Sequence, residues 1–525
     1  MTRPETLSRR DERAGLEEGR AETDMVPGPS SGWTSAFDQL LLIGGLIILH
    51  IAVSGTIPSG GDGGNWLALA REWLGQSVMS ADVVYEPVFT GMLGSLLRVL
   101  GPVDALLVSA LISEAVLMIA VYLVVKRAGR LPALLSAVLV GVAGYRLEAY
   151  AWGAYPQILA LGLGLLTVWG VVRLVEVGGW RRLALVVGGV VAVLSTHKLV
   201  GGLMLMAIPG AALHALWIGR FRQPMWKWAG LSVGVVSVVG AFYVGSWLGA
   251  SAEGVEPTLN ALGLGRAEQV SFAFQEANVI WLALIVLAVI GWVIRSWSPR
   301  TASIVSASFG WVLASVVGFL FLAEPRILIQ VQVAVVPVAV LVAVRWWGAQ
   351  PAGSRLRRVG ALGFRFLVIT AFGSILLTGL HRYDLAADWY RVAGQRELNA
   401  LSVLREVSEP GDLAVASRGP NGNPIGWWVE GYAGIPTYTS IDTAFLAFPD
   451  ERAQAEAAAS IFSAPPEKAA EMLEELGARF LILDRRGSDV GWLASGDPVG
   501  LTSLSDGTLL ILEGPDAPSD GSAPD

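Results

Sequence analysis

The sequence predicts a multi-span α-helical membrane protein, with about 11 transmembrane helices and a small C-terminal extracytoplasmic α/β domain. Three observations carry that reading. Of its 525 residues, 53% are hydrophobic and only 15% are charged, and the mean hydropathy of +0.56 lies outside the range of soluble chains. The apolar residues are gathered into runs long enough to cross roughly 30 Å of hydrocarbon as helices. After residue 383 those runs stop, and shorter helix and strand patterns begin.

The first 36 residues are polar and rich in Arg, Glu, Pro and Ser. They have no run apolar enough for a signal peptide or a packed core, and are expected to form a disordered cytoplasmic tail. Spans are then expected near 39–57, 104–125, 131–145, 157–175, 183–197, 199–218, 229–250, 277–294, 301–322, 327–344 and 359–380, together a bundle over 37–380. With the N-terminus inside, fifteen Lys and Arg fall in inner connections, among them Lys126, Arg127, Arg130, Arg173 and Arg182. Only six (Arg71, Arg98, Arg146, Lys198, Arg266 and Arg326) fall in outer ones. That asymmetry fixes the orientation, and an odd span count leaves everything after 380 outside.

The first outer loop, 58–103, is long. Two stretches in it, Trp66 to Gly75 and Glu86 to Leu100, have apolar residues at helical spacing and are expected either to lie in the interface plane or to lid the bundle. Beyond the last span, Leu398, Leu401, Leu404 and Val407 mark a helix, Asp412 to Ser417 a strand, 450–462 and 466–477 two helices, and Arg479 to Asp484 another strand. Helices alternating with short apolar strands give an α/β domain over 381–513. The tail 514–525, rich in Pro, Ser and Asp, is expected to be disordered.

The chain has no cysteine, which excludes disulfides, thiolate metal sites and cysteine nucleophiles together. The net charge of −7 and the lack of a basic, aromatic-laced surface segment argue against nucleic acid. Membrane lipids are the expected surroundings.

Ionisable residues at the ends of spans are costly to place and mark function. Four groups fall at outer ends. The first is Asp62 in Ser59-Gly60-Gly61-Asp62-Gly63-Gly64-Asn65-Trp66, an acid on glycine backbone able to approach a ligand closely; the bland alternative is a solvated turn. The second is Tyr145-Arg146-Leu147-Glu148-Ala149-Tyr150-Ala151-Trp152-Gly153-Ala154-Tyr155, where Arg146 and Glu148 form either part of a site or a plain surface ion pair. The third is Ser195-Thr196-His197-Lys198, with a cation suited to an external phosphate. The fourth is Glu324-Pro325-Arg326, whose guanidinium suits bidentate phosphate binding unless it pairs with Glu324. His50 and Glu114, inside the first and second spans, are buried candidates that in the simpler case only hydrogen-bond a neighbouring helix. Two acids and two cations on one face are what is needed for a base to activate a hydroxyl while cations stabilise a phosphate leaving group.

In this order the features resemble the GT-C superfamily of integral-membrane glycosyltransferases. Asp62 in GGDGGNW matches the acid of that family's first outer loop, Glu148 in RLEAYAWGAYPQ matches the second acidic motif, and Arg326 in EPR resembles the arginine that contacts the lipid phosphate. Gly426-Trp427-Trp428-Val429-Glu430-Gly431-Tyr432 faintly resembles the WWDYG acceptor motif of oligosaccharyltransferases, with Val-Glu in place of Asp-Tyr; otherwise its tryptophans seat the domain. The resemblance implies transfer of a sugar from a polyprenyl-phosphate-linked donor to a glycan, lipid or protein acceptor on the outer face, in cell-envelope assembly. In that scheme Asp62 and Glu148 are catalytic, and Arg146, Tyr155, His197, Lys198, Arg326, Trp427 and Trp428 bind substrate. A divalent cation, Mg or Mn, held by Asp62 and Glu148 is possible in the family, but Arg146 stands here where the family's first acid of a DxD-like motif would be. A lipid or polysaccharide transporter, or a non-catalytic envelope assembly protein, are the alternatives from other classes.

Overall fold

The computed structural model describes residues 32–54, 57–58, 60–76, 85–218, 234, 279–294, 296–322, 327–348, 355–423, 425–438, 449–487 and 500–514. Arg326 with its Glu324-Pro325 neighbours, the span expected at 229–250 and most of both expected tails lie outside these residues. Helix α1 (Gly32–Ser54) precedes two short loop helices, α2 (Gly63–Trp73) and α3 (Pro87–Leu97). The bundle continues as α4 (Pro102–Val125), α5 (Arg130–Gly141), α6 (Gly144–Trp152), α7 (Tyr155–Val177), α8 (Trp180–Leu194) and α9 (Lys198–Trp217). It resumes as α10 (Val279–Val293), α11 (Pro299–Leu322), α12 (Ile327–Gly348) and the 35-residue α13 (Arg355–Trp389).

Among the described residues five helices are long and apolar enough to cross a membrane. A sixth candidate is α5 with α6, bent by 43° at the break between them. The chain is a membrane protein; of the other expected spans, 39–57 and 277–294 hold shorter apolar helices, 183–197 and 359–380 fall on α8 and α13, which are helical but not among those five, and 229–250 lies outside the described residues. The third expected span, 131–145, is cut short because Val142 and Ala143 leave the helix, so the motif that follows is a helix of its own rather than a turn.

Close helix crossings are built on small residues and polar ties, as packing in lipid requires. Gly210 of α9 lies against Gly310 of α11, with room for a Cβ only 3.1 Å from the Gly310 Cα. His214 of α9 is held between the Ser306 hydroxyl at 3.0 Å and the Trp292 carbonyl at 3.1 Å. Ser308 donates to the Ala334 carbonyl at 2.6 Å, joining α11 to α12. Near the start of the bundle Asp38 is buried on α1. It accepts from Tyr122 Oη at 2.7 Å and from Arg130 Nε and Nη2 at 2.6–3.0 Å, which ties α1 to α4 and α5.

The C-terminal domain follows α13 directly. Helix α14 (Gln395–Val407) leads to β1 (Ala414–Ala416), then a helical turn Gly426–Trp428 that runs into a π turn Val429–Ala433. After α15 (Pro449–Ala459) and α16 (Pro466–Glu475) come β2 (Phe480–Asp484), β3 (Thr502–Asp506) and β4 (Leu509–Glu513). The sheet order is β1-β2-β4-β3. β1 and β2 are parallel, with α15 and α16 in the crossover, and β4 runs antiparallel to both of its neighbours. The expected helices and the two expected strands are present. The hairpin β3–β4 was not anticipated, although Asp506-Gly507 between two strand-like runs is a hairpin signal.

Helix α13 carries past residue 380 without interruption to Trp389. Arg486 then fixes the domain to the segment that follows: it donates to the Val392 carbonyl at 2.6 Å, pairs with buried Asp484 at 2.7 Å and reaches Glu397 at 3.4 Å.

Helix α2 does not lie flat at a lipid surface. Seven of its residues, Gly63, Gly64 and Trp66 to Ala70, are buried, because the helix is packed between α3 and α4 on one side and the π turn of the C-terminal domain on the other. Gly64 and Gly431 make this possible. A Cβ on Gly64 would stand 2.5 Å from the Trp427 carbonyl carbon and the Trp428 nitrogen, and one on Gly431 would run into the Gly64 carbonyl oxygen and stand 2.7 Å from Leu67 Cβ. Gly431→Ala is therefore expected to push the domain off α2 and to destabilise the chain by about 1–3 kcal/mol. Thermal unfolding in detergent checks it against Gly373→Ala, whose Cβ meets nothing within 4 Å; equal melting temperatures for the two variants would contradict this packing.

Candidate functional site

Asp62 occupies the N-cap position of α2 with helical backbone angles, and its side chain makes no capping hydrogen bond. Its carboxylate is only partly exposed, at the place where two loops meet. The Asp62 amide donates to the Trp152 carbonyl at 3.2 Å, and Trp66 Nε1, one turn on, donates to the Gly153 carbonyl at 2.6 Å. Gly60 and Gly153 sit at φ +150° and +100°, conformations that L side chains rarely adopt, and a Cβ on Gly153 would stand 3.1 Å from Asp62 Cβ. The glycines around Asp62 thus serve first to let protein backbones approach one another. The acid of the first loop and the 144–157 motif are brought into direct contact by them.

Aromatic rings extend this junction. Trp66 packs on Tyr85 at 4.7 Å and Phe89 at 5.8 Å, and Tyr85 on His197 at 6.3 Å between ring centroids. Tyr150 lies 5.1 Å from Tyr155 and 6.0 Å from Tyr383. Asp62 is close enough to Tyr155 to act electrostatically on its phenol. Val88 donates to the Ser195 carbonyl at 2.9 Å, which joins the first loop to the α8–α9 turn. Asp62, Glu148, Tyr155, His197 and Lys198 therefore gather at one end of the bundle.

The charges pair in ways the sequence spacing does not give. Arg146 does not pair with Glu148. It turns inward, 1% exposed, onto Glu114 of α4, itself 1% exposed. A paired buried charge is tolerated where a lone one is not, so Glu114 and Arg146 lock α6 to the second span. Glu148 instead faces Arg382 of α13 at 3.8 Å. Lys198, at the first position of α9, reaches Glu86 at 3.4 Å. His197 accepts from the Val200 amide at 3.5 Å and so caps that helix. Trp427 and Trp428 seat the domain: the Trp427 backbone lies on Gly64, and the Trp428 ring lies over Gly63. His50 lies in α1.

Glu86, Arg382 and Tyr383 enter the site without having been singled out in the sequence. Glu86 precedes Pro87 in a stretch that reads as an amphipathic helix, and Arg382-Tyr383 follows the end of an apolar run. Their signal is position beside the end of an apolar run, or just before a helix-starting proline, on the same side as Asp62. Among the described residues no three His, Asp or Glu side chains converge as a metal would need, and Glu148 is engaged by Arg382.

No known family model and no curated protein sequence matches the chain. Solved structures do. The crystal structure of ArnT from Cupriavidus metallidurans bound to undecaprenyl phosphate aligns over 95% of this chain and 100% of its own, with a TM-score of 0.52 and 12% identity. The apo form of the same protein aligns over 92% and 98%, with a TM-score of 0.55 and again 12% identity. The chain has an ArnT-like fold. The resemblance inferred from Asp62, the 144–157 motif and the layout of the chain is thus matched by its architecture, although so low an identity carries no residue roles. Within this fold, the first loop, the second motif and the C-terminal domain meet around α2.

Burial pushes the Glu86 carboxyl above its usual value near 4.5, and the Lys198 ammonium opposes that only in part. A folded-state pKa above the unfolded one contributes stability that is full below the unfolded value and is lost as pH rises through the folded value. Glu86→Gln removes this loss. The melting temperature of that variant, relative to the parent, is expected to shift in the variant's favour between about pH 4 and pH 7. A difference that stays constant over that range would show that Glu86 is ionised in the fold as it is in water.

Proposed function

We propose that the chain is a glycosyltransferase that moves a sugar from a polyprenyl-phosphate carrier to an acceptor hydroxyl, with inversion, on the outer face of the membrane. The observation that carries this reading is the contact between Asp62 and the Trp152-Gly153 segment. It joins the two acidic motifs in a fold that ArnT, crystallised with undecaprenyl phosphate, shares over most of the chain. Asp62 takes the proton of the acceptor hydroxyl, whose oxygen attacks the anomeric carbon as the bond from that carbon to the phosphate oxygen breaks. The phosphate departs on its carrier with the bonding electron pair. Lys198 and Arg326 stabilise it, His197 and Tyr155 line its approach, Glu148 orients the acceptor, and Trp427 and Trp428 hold the domain that covers the acceptor side. Arg146 acts at a remove by fixing α6 through Glu114.

The N-terminus is cytoplasmic and the C-terminal domain external in this scheme, which the distribution of Lys and Arg supports. The acceptor is a glycan, lipid or protein of the cell envelope. Among the described residues, neither fully buried acid of the spans is left to line a transport path, since Glu114 is engaged by Arg146 and Asp38 by Arg130 and Tyr122.

Asp62→Asn keeps the shape of the side chain and removes no helix cap. It is expected to leave the melting temperature unchanged and to cut transfer from a polyprenyl-phosphate sugar by roughly 10²–10⁴-fold. Turnover at the parent rate in a folded Asp62→Asn protein would take Asp62 out of the mechanism. With Lys198 and Arg326 supplying the positive charge, transfer is expected to persist in EDTA; activity lost in EDTA and restored by Mg or Mn would instead place a cation between Asp62 and Glu148.

A further inference from the structure

A cavity of about 250 Å³ opens on the far side of α2 from Asp62. Its wall is apolar where Leu74, Leu97 and Leu100 face it, and polar where it carries Arg71, Gln76 and Arg405. No acid lines it. Asp104, beside Gly101 at its edge, is not among the lining residues.

The two guanidiniums come from distant parts of the chain, one from α2 and one from α14. Arg71 spends one donor on the Gly431 carbonyl at 2.7 Å, one on the Tyr432 carbonyl at 3.1 Å and one on Gln76 Oε1 at 2.9 Å. A guanidinium has five N–H groups, so two remain. Arg405 is exposed, and among the described residues its side chain has no hydrogen bond and no ion pair. Two cations facing one small cavity repel each other unless an anion lies between them. Burial and the Arg405 charge both hold the Arg71 guanidinium below its usual pKa.

We infer that the cavity between Arg71 and Arg405 is a second binding site, which takes one anionic group of the phosphate or carboxylate class. The leucine wall accepts the apolar part of whatever carries that group. Arg71 lies nine residues along α2 from Asp62, roughly 14 Å at 1.5 Å per residue. On the transferase reading, on which this last step alone rests, that distance suits an acceptor whose charge is held at one end of α2 while its hydroxyl meets Asp62 at the other.

Equilibrium dialysis of the full chain, in a neutral detergent, against radiolabelled inorganic phosphate tests the site. Arg405→Glu removes no contact and reverses one charge, and is expected to weaken phosphate binding by at least about tenfold, while Arg405→Lys stays within about threefold. Repeating the pair in a Lys198→Ala background separates this cavity from the phosphate site of the proposed transfer. If only Lys198→Ala lowers binding, the inference is overturned and the transferase reading stands. If only Arg405→Glu lowers it, the cavity is supported and the assigned role of Lys198 fails. Short-chain dihexanoyl-phosphatidylglycerol identifies the source: competition with the Arg405-dependent phosphate points to a lipid headgroup, and no competition points to a free or glycan-borne anion. Phosphate binding that is absent, or equal in the parent and Arg405→Glu, overturns the inference.

Discussion

The site depends on how closely α2 can be packed between the bundle and the C-terminal domain. Three glycines set that distance: Gly64 and Gly431 bring the helix onto the Trp427-Trp428 backbone, and Gly63 accepts the Trp428 ring. Arg71 completes the joint by donating to the Gly431 and Tyr432 carbonyls, which the π turn leaves without ladder partners. The position of Asp62 follows, since it stands at the first turn of that helix. A Cβ at Gly64 or Gly431 would move the acid relative to the 144–157 motif before it changed any residue of the site itself.

A second constraint acts from within the bundle. The Glu114–Arg146 pair is buried on both sides, and a buried pair is worth most as a fixed register between the elements that carry it. It prevents α6 from rotating, and the rotation of α6 sets where Glu148, Tyr150 and the Trp152 carbonyl point. The acid in the second span and the cation in the second motif, which looked in the sequence like two separate functional candidates, together form one structural device. Its chemical consequence is that Glu148 is left for Arg382.

The sequence was legible wherever a single pattern decided the outcome. Apolar run length gave five of the spans, helical and strand periodicity gave α14, α15, α16, β1 and β2, and glycine-flanked Asp62 stood out by composition alone. It was less legible where the outcome rests on which residues meet across long separations. Nothing in the local pattern tells that Arg146 prefers Glu114 to Glu148, which is two residues away, because the preference comes from a burial that only the packed bundle creates. Nor does amphipathic spacing in Trp66 to Gly75 distinguish a helix lying on lipid from one covered by another domain. Both need one apolar face, and only the glycines on the opposite face point to the second partner. Glu86 escaped notice for a related reason: its role depends on a turn near residue 195, more than a hundred positions away.

The ion pairs also differ in closeness. Arg130 meets Asp38 at 2.6 Å, Arg479 meets Glu513 at 2.7 Å and Arg486 meets Asp484 at 2.7 Å, while Arg486 stands 3.4 Å from Glu397. Around Asp62 they are loose, with Lys198 and Glu86 at 3.4 Å and Arg382 and Glu148 at 3.8 Å. Charge-assisted N–H···O bonds are normally about 2.7–2.9 Å, so both of these pairs are longer than a close charge-assisted bond. A phosphate with more charge and more acceptor oxygens than a carboxylate can draw such a cation away at little cost, whereas it could not compete for Arg130. On the proposed transfer, a longer pair such as Lys198–Glu86 would keep positive charge near Asp62 and let it shift toward a phosphate.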